Sequence, residues 1–149
     1  MAAVCCVLIV LGIFLGDEWI KNQIEKRIGI HKPILGNRIL IQKYHNRGAM
    51  LNLGQYHQKV VMGVSVIFCI LLTAVFLLSL GHKGNNLLRV GLAFLLGGAF
   101  SNTYDRLKRK YVVDYFSFQV RWTPLRRIVY NLSDFCIIIG ALLAVLGSP

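Results

Sequence analysis

A chain of 149 residues that is 56% hydrophobic and only 15% charged is too apolar for an ordinary soluble domain, where charged residues approach about 25%. The formal net charge of +11 would suit a nucleic-acid binder, but the basic residues flank long apolar runs, so nucleic acid is excluded as a partner. The length supports a single domain, 1–149, without a tethered soluble partner domain.

In chain order, Ala2 to Gly16 carries no charge, and a helix continuing through Asp17 to Ile20 reaches spanning length. This run is read as a span over 2–20. A cleaved secretory signal is disfavoured, because it lacks a basic n-region and a small-x-small site after the apolar run. The loop 21–59 is the one extramembrane segment large enough to fold. Within it Arg38 to Tyr44 is rich in β-branched and aromatic residues, and Gly36-Asn37 and Asn46 to Gly48 are turn signals on either side. That pattern predicts a strand in a small sheet lying on the membrane surface.

Val60 to Leu80 is an uncharged run of 21 residues. As a helix it rises about 31 Å, matching a hydrocarbon core of about 30 Å, and predicts a span over 60–80. Leu87 to Asn102 is apolar apart from Arg89, which can snorkel from a helix end, and predicts a third span over 87–105. In the loop 106–127, Tyr111 to Val120 is apolar and aromatic but interrupted by Asp114. It is too short to span and suits a re-entrant or interfacial position. Ile128 to Gly147, apolar except for Asn131, Ser133 and Asp134, predicts the fourth span over 128–147. The expected fold is an all-α membrane protein, four transmembrane helices with a small extramembrane β-cradle in the first loop.

Of the seventeen Lys and Arg residues, fifteen fall in the first and third loops, on one side of a four-span plan. The positive-inside rule places that side in the cytoplasm. The same charge also suits contact with anionic phospholipid headgroups, each worth about 1 kcal/mol near the surface. Cys5, Cys6, Cys69 and Cys136 lie in apolar spans without ligand spacing and read as small hydrophobes. His31, His45, His57 and His82 lie in loops, solvated or interfacial, and none has metal-ligand spacing. No metal and no cofactor is expected.

The informative residues are polar ones at membrane depth. A carboxylate near a helix centre costs roughly 2.5–3.5 kcal/mol, so Asp134 is tolerated mainly where it faces a polar interior. Asn131, three residues earlier, shares its helical face. The two fit an interhelical polar clamp as well as an active site. Asn102, Asp105 and Arg106 likewise share one face, with Asp105 and Arg106 read as a local ion pair or interfacial anchor. Asp114 sits among apolar and aromatic residues, where desolvation raises a carboxyl pKa. Held close together, Asp114 and Asp134 would share a proton. One could then activate water while the other protonates a peptide carbonyl and its leaving amine.

Asn102-Thr103-Tyr104-Asp105-Arg106, Val112-Val113-Asp114-Tyr115-Phe116 and Tyr130-Asn131-Leu132-Ser133-Asp134 resemble the signature blocks of lipoprotein signal peptidase (signal peptidase II). Asp17-Glu18-Trp19-Ile20-Lys21 and Asn46-Arg47-Gly48-Ala49 resemble two weaker blocks in the same order. The resemblance implies an aspartyl endopeptidase that removes the signal peptide from prolipoproteins just before a lipid-modified, diacylglyceryl cysteine. It implies Asp114 and Asp134 as the catalytic pair, and Asn46, Gly48, Asn102, Arg106 and Asn131 as substrate-binding or supporting residues. Asp17, Lys21 and Asp105 take structural roles. The implied setting is a monomer in the plasma membrane of a bacterium, with the site towards the outer face and both termini cytoplasmic. That orientation opposes the positive-inside count.

Several positions depart from the family pattern: Glu18 for Gln, Ser101 for Gly, Ser133 for Ala, and Met50 and Leu51 where a small residue and an aromatic are common. They leave both carboxyls in place and bear on substrate preference. Two other functions compete: a divergent paralogue cutting a non-lipidated membrane peptide, and a non-catalytic lipid-binding protein whose polar residues only lock helices.

Overall fold

The apolar runs fold as helices, and what separates them builds a small sheet. The computed structural model describes residues 2–49, 54–81 and 86–148, so Met50, Leu51 and His82 lie outside the described part. The elements run α1 (Ala2–Glu25), β1 (His31–Ile34), β2 (Ile39–Asn46), a 3-10 turn (Gln55–His57), α2 (Gln58–Gly81), α3 (Asn86–Lys108), β3 (Val112–Phe118), α4 (Thr123–Arg126) and α5 (Leu132–Leu146). Two helical stretches, Ala2–Glu25 and Gln55–Gly81, are long and apolar enough to cross a membrane. The third, α3, is long but ends in polar residues, and α5 is apolar but only 15 residues long.

Helix α3 is the hub because its sequence is small and apolar where the others press on it. Leu92, Ala93, Leu96 and Ala99 form a buried cluster with Cys6 and Val10 of α1 and with Cys69, Leu72 and Phe76 of α2. Against α5 the contact is backbone to backbone. A Cβ on Gly98 would stand 2.5 Å from the Ser133 carbonyl oxygen, and one on Gly140 would stand 2.5 Å from the Leu95 nitrogen. Small residues permit such approaches between apolar helices, where packing must replace the hydrophobic effect. Gly98→Leu should therefore lower the thermal unfolding midpoint in detergent, overpacking costing about 1–3 kcal/mol. Gly12→Leu, at a position with nothing within 4 Å, is the control. Equal midpoints for both variants would show that α5 is free to move away.

The sheet is antiparallel, in the order β1-β2-β3. The β1–β2 hairpin closes through Leu35, Gly36 and Asn37, all with positive φ, the turn chemistry that Gly36-Asn37 signalled. The expected strand over Arg38 to Tyr44 is found as β2. The cradle is not confined to the first loop, however. Tyr111 to Val120, read as a re-entrant or interfacial segment, carries strand β3 in its central part, hydrogen-bonded along β2. A bulge between Ile41 and Tyr44 shifts the register and sets Tyr44 opposite Asp114 and Asn46 opposite Val112. The free edge of β3 is closed by Tyr130, whose carbonyl oxygen accepts from the Tyr115 and Phe116 nitrogens at 2.9 and 3.0 Å.

That bridge shortens the last helix. Ile128 and Val129 are not helical and Tyr130 is held in the bridge, so α5 starts at Leu132 with Asn131 as its N-cap, whereas a span over 128–147 would be helical throughout. Asp134 consequently lies in the first turn of α5 and not near a helix centre. Asn131 and Asp134 form a reciprocal capping box.

Candidate active site

Three elements deliver the polar residues to one place. Strand β3 carries Asp114, α5 carries Asp134 at its start, and α3 carries Asn102 and Arg106 along the intervening face. All four line a cavity of about 280 Å³ together with Asn46. Its remaining walls are mostly apolar, among them Phe68 of α2, Ala99 of α3, and Ile137 and Ile138 of α5, with Ser65 and Thr103 as hydroxyl exceptions.

Each of the four carboxylate oxygens has its own donor. Asn131 Nδ2 donates to Asp114 Oδ1 at 2.7 Å, and Asn46 Nδ2 donates to Asp114 Oδ2 at 3.1 Å. Asn102 Nδ2 donates to Asp134 Oδ1 at 3.0 Å, and the Asn131 backbone N–H donates to Asp134 Oδ2 at 3.0 Å. Asn131 therefore ties the two carboxyls together through one residue, its side chain holding Asp114 and its backbone Asp134. Asn46 lies two residues beyond the partner of Asp114 in the ladder, a diagonal within side-chain reach. Its amide is oriented in turn, since Asn46 Oδ1 accepts from the Gly48 N–H at 3.0 Å. The Gly48 carbonyl accepts from Arg106 Nη2 at 3.0 Å, and Arg106 Nη1 donates to the Asn102 carbonyl at 3.0 Å.

Burial pushes the Asp114 carboxyl up to about 7, and the nearby charge of Asp134 pushes in the same direction. The Asn46 and Asn131 amides act against it by favouring the ionised form. Asp114 is thus an acid that can hold a proton at neutral pH beside a second carboxyl. Among the described residues no cluster of three His, Cys, Asp or Glu side chains is arranged to hold a metal ion.

Beneath this site lies a buried ion cluster. Asp17, Lys21 and Asp105 are fully buried. Lys21 Nζ stands 2.8 Å from Asp17 and 3.2 Å from Asp105, and donates to Ser101 at 2.7 Å and Asn102 Oδ1 at 3.0 Å. Asp105 does not pair with Arg106 as its neighbour in sequence suggested. Its cations are Lys21 and Arg109, the latter one helical turn on, and Arg106 faces the cavity instead. Asp105 also accepts from the Val113 N–H at 3.1 Å, pinning β3 to α3.

Residues not singled out as site residues complete this layer. Ser101 and Ser133 both donate to Asp17 Oδ2, and Ser101 also lies 3.3 Å from Glu18. Two departures from the family pattern, Ser101 and Ser133, thus meet on the Asp17 carboxylate, and a third, Glu18, touches Ser101. Tyr115 donates its hydroxyl to Asp17 at 2.9 Å and accepts from the Leu132 N–H at 2.8 Å, locking the start of α5 onto α1. Its signal was strand alternation, since the neighbour of Asp114 must point to the opposite face. Away from the site, His45 stacks on Tyr111 at 4.1 Å and lies 2.7 Å from Glu25, so it is partnered. Cys6, Cys69 and Cys136 are buried, Cys5 is exposed, and all four are free.

Comparison with known proteins puts this arrangement in a family. A lipoprotein signal peptidase from Moorella thermoacetica is 33% identical over 111 residues, covering 74% of this chain and 69% of that protein. One from Halothermothrix orenii is 30% identical over 145 residues, covering 93% and 91%. A solved structure described as "Bacterial membrane enzyme structure by the in meso method at 2.3 A resolution" superposes with a TM-score of 0.79 at 20% identity, over 95% of this chain and 85% of that one. The signature of the family described as "Signal peptidase (SPase) II" matches residues 9–148, and this chain belongs to that family.

Proposed function

We propose that this chain is an aspartic endopeptidase of a bacterial membrane that removes the signal peptide from prolipoproteins bearing a lipid-modified cysteine. Water held between Asp114 and Asp134 is the nucleophile. The carrying observation is the shared cavity, in which Asn131 bridges both carboxyls and every carboxylate oxygen has a donor. The donors hold the carboxyls in place, while the polarity contrast with the apolar walls suits a peptide bond presented at the edge of lipid. One carboxylate takes a proton from the water as the other gives its proton to the carbonyl oxygen; the first then passes its proton to the leaving amine while the second recovers one from the gem-diol hydroxyl, which restores the dyad. Asn46, Asn102, Asn131 and Arg106 orient the dyad and the peptide, and Gly48 holds Asn46. Asp17, Lys21 and Asp105 support the floor of the site.

The whole chain acts as one domain, a monomer with four spans. Large apolar side chains on α1, α2 and α5 face outward, including Leu8, Leu15, Val64, Ile70, Leu78, Leu142 and Val145, which a lipid environment would cover. Trp19 near the end of α1, Tyr56 before α2 and Trp122 before α4 are exposed, as aromatics at headgroup level are. The sheet and the dyad face the outer side, and both termini are cytoplasmic. A membrane-impermeant maleimide should label Lys32→Cys, in the exposed hairpin, on intact spheroplasts. Labelling only after lysis would reverse the orientation.

The functional test presents the purified chain with a precursor carrying a diacylglyceryl cysteine and with the same precursor unmodified. Mass spectrometry should find a new N-terminus at the lipidated cysteine, with the unmodified precursor left intact. Equal cleavage of both precursors would indicate a peptidase for non-lipidated peptides. Cleavage of neither would leave a non-catalytic membrane protein.

A further inference from the structure

A second cavity, of about 230 Å³, lies beside the first and shares one wall with it, the Arg106 side chain. Its lining is Arg47, Gln58, Lys59, Met62, Arg106 and Lys110, four cations and no carboxylate. The lining comes from three parts of the fold: the end of the cradle, the first turn of α2, and the end of α3. Like charges gathered in one concavity repel, and an anion seated among them would relieve that repulsion through charge-assisted hydrogen bonds.

A further feature points to an anionic ligand. Arg106 spends Nη1 and Nη2 on the Asn102 and Gly48 carbonyls, while its buried Nε has no partner. A buried charged donor without an acceptor is costly, and an anion at this wall would satisfy it. The cavity also stands where α2 and α3 leave the apolar zone. Met62, one turn inside α2, is the apolar residue in this lining, beside Lys59 and Lys110.

We propose that this cavity binds the phosphodiester of an anionic membrane phospholipid, holding one lipid headgroup next to the dyad. The inference rests on the membrane placement proposed above and not on the chemistry of Asp114 and Asp134. Chemistry alone would also admit inorganic phosphate. The position at the end of the apolar zone, with Met62 lining the cavity among the cations, favours the lipid.

The test is native mass spectrometry of the whole chain released from bicelles of phosphatidylcholine with increasing phosphatidylglycerol. Wild type should retain one phosphatidylglycerol, and Lys59→Gln/Lys110→Gln should need about tenfold more of it for equal retention. Lys32→Gln/Arg38→Gln removes the same charge from the β1–β2 hairpin and should retain lipid as wild type does. Equal loss in both double variants would mean attraction by net charge, and no loss in either would empty the cavity of this role. Displacement of the bound lipid by millimolar inorganic phosphate would make the site one for the free anion and overturn the lipid assignment. Asp114→Asn should retain lipid as wild type does, so failure of the peptidase reading leaves this result standing.

Discussion

Asp114→Asn and Asp134→Asn should each lower cleavage of a lipid-modified precursor by about 10³-fold or more, with the double variant no worse than the slower single one. General acid–base catalysis contributes about 10²–10⁴-fold, and in the proposed mechanism one proton is shared by both carboxyls, so losing either disables both halves of the step. Asn is close to isosteric and can still accept one of the hydrogen bonds that Asp114 takes from Asn46 and Asn131. The loss should therefore be one of chemistry and not of fold.

Protonation supplies the control. The Asp114 carboxyl is raised from 3.8 to about 7 in the folded chain, chiefly by burial. Between those values the folded state binds more protons than the unfolded one, so this group destabilises increasingly as pH climbs through that window. Asp114→Asn removes the penalty. Its unfolding midpoint should match or exceed that of wild type at pH 8, and the difference should shrink as the pH falls to 5. Wild-type kcat should in turn decline above about pH 7, where the shared proton is lost. An inactive variant that is also less stable than wild type at every pH would attribute the loss to misfolding and withdraw the dyad.

The long helices could be read from runs of apolar residues because crossing lipid demands length and apolarity, both local properties. Their ends could not. Hydropathy runs on through Ile128 and Val129, but the backbone at Tyr130 pairs with Phe116, and the helix can begin only beyond it. Strand β3 was hidden for a similar reason: its partner β2 lies about seventy residues upstream, and the Asp114 that interrupts its apolar run is the residue the pairing buries. Adjacency misled at Asp105. On a helix the next residue points about 100° away, whereas Arg109 at i+4 shares the face. The polar residues themselves were conspicuous because lipid tolerates so few. Their division into a cavity layer and an ion layer beneath it depends on three helices and a strand meeting, which no short pattern encodes.

That lower layer carries the second large effect. Lys21→Met should destabilise the chain by about 3–5 kcal/mol, the usual cost of removing one partner from a buried ion pair. Lys21, Asp17 and Asp105 are all fully buried, so neither carboxylate can turn to solvent once the ammonium is gone. Asp105 keeps Arg109, but Asp17 is left with neutral donors, the hydroxyls of Ser101, Ser133 and Tyr115. Adding Asp17→Asn to Lys21→Met should accordingly recover part of the loss, a non-additivity measurable by thermal or denaturant unfolding in detergent. Activity has a separate path to failure. Lys21 Nζ donates to Asn102 Oδ1, which directs the Asn102 Nδ2 donor towards Asp134. Without that bond only the Asn131 Nδ2 donor, at 3.1 Å, still fixes the amide oxygen, and the Asn102 Nδ2 donor is held less firmly towards Asp134. The stabilised double variant should therefore remain slow, with kcat reduced and KM little changed. A Lys21→Met chain as stable as wild type would place the ammonium outside the cluster, and a double variant restored in kcat would show that Asn102 needs no such hold.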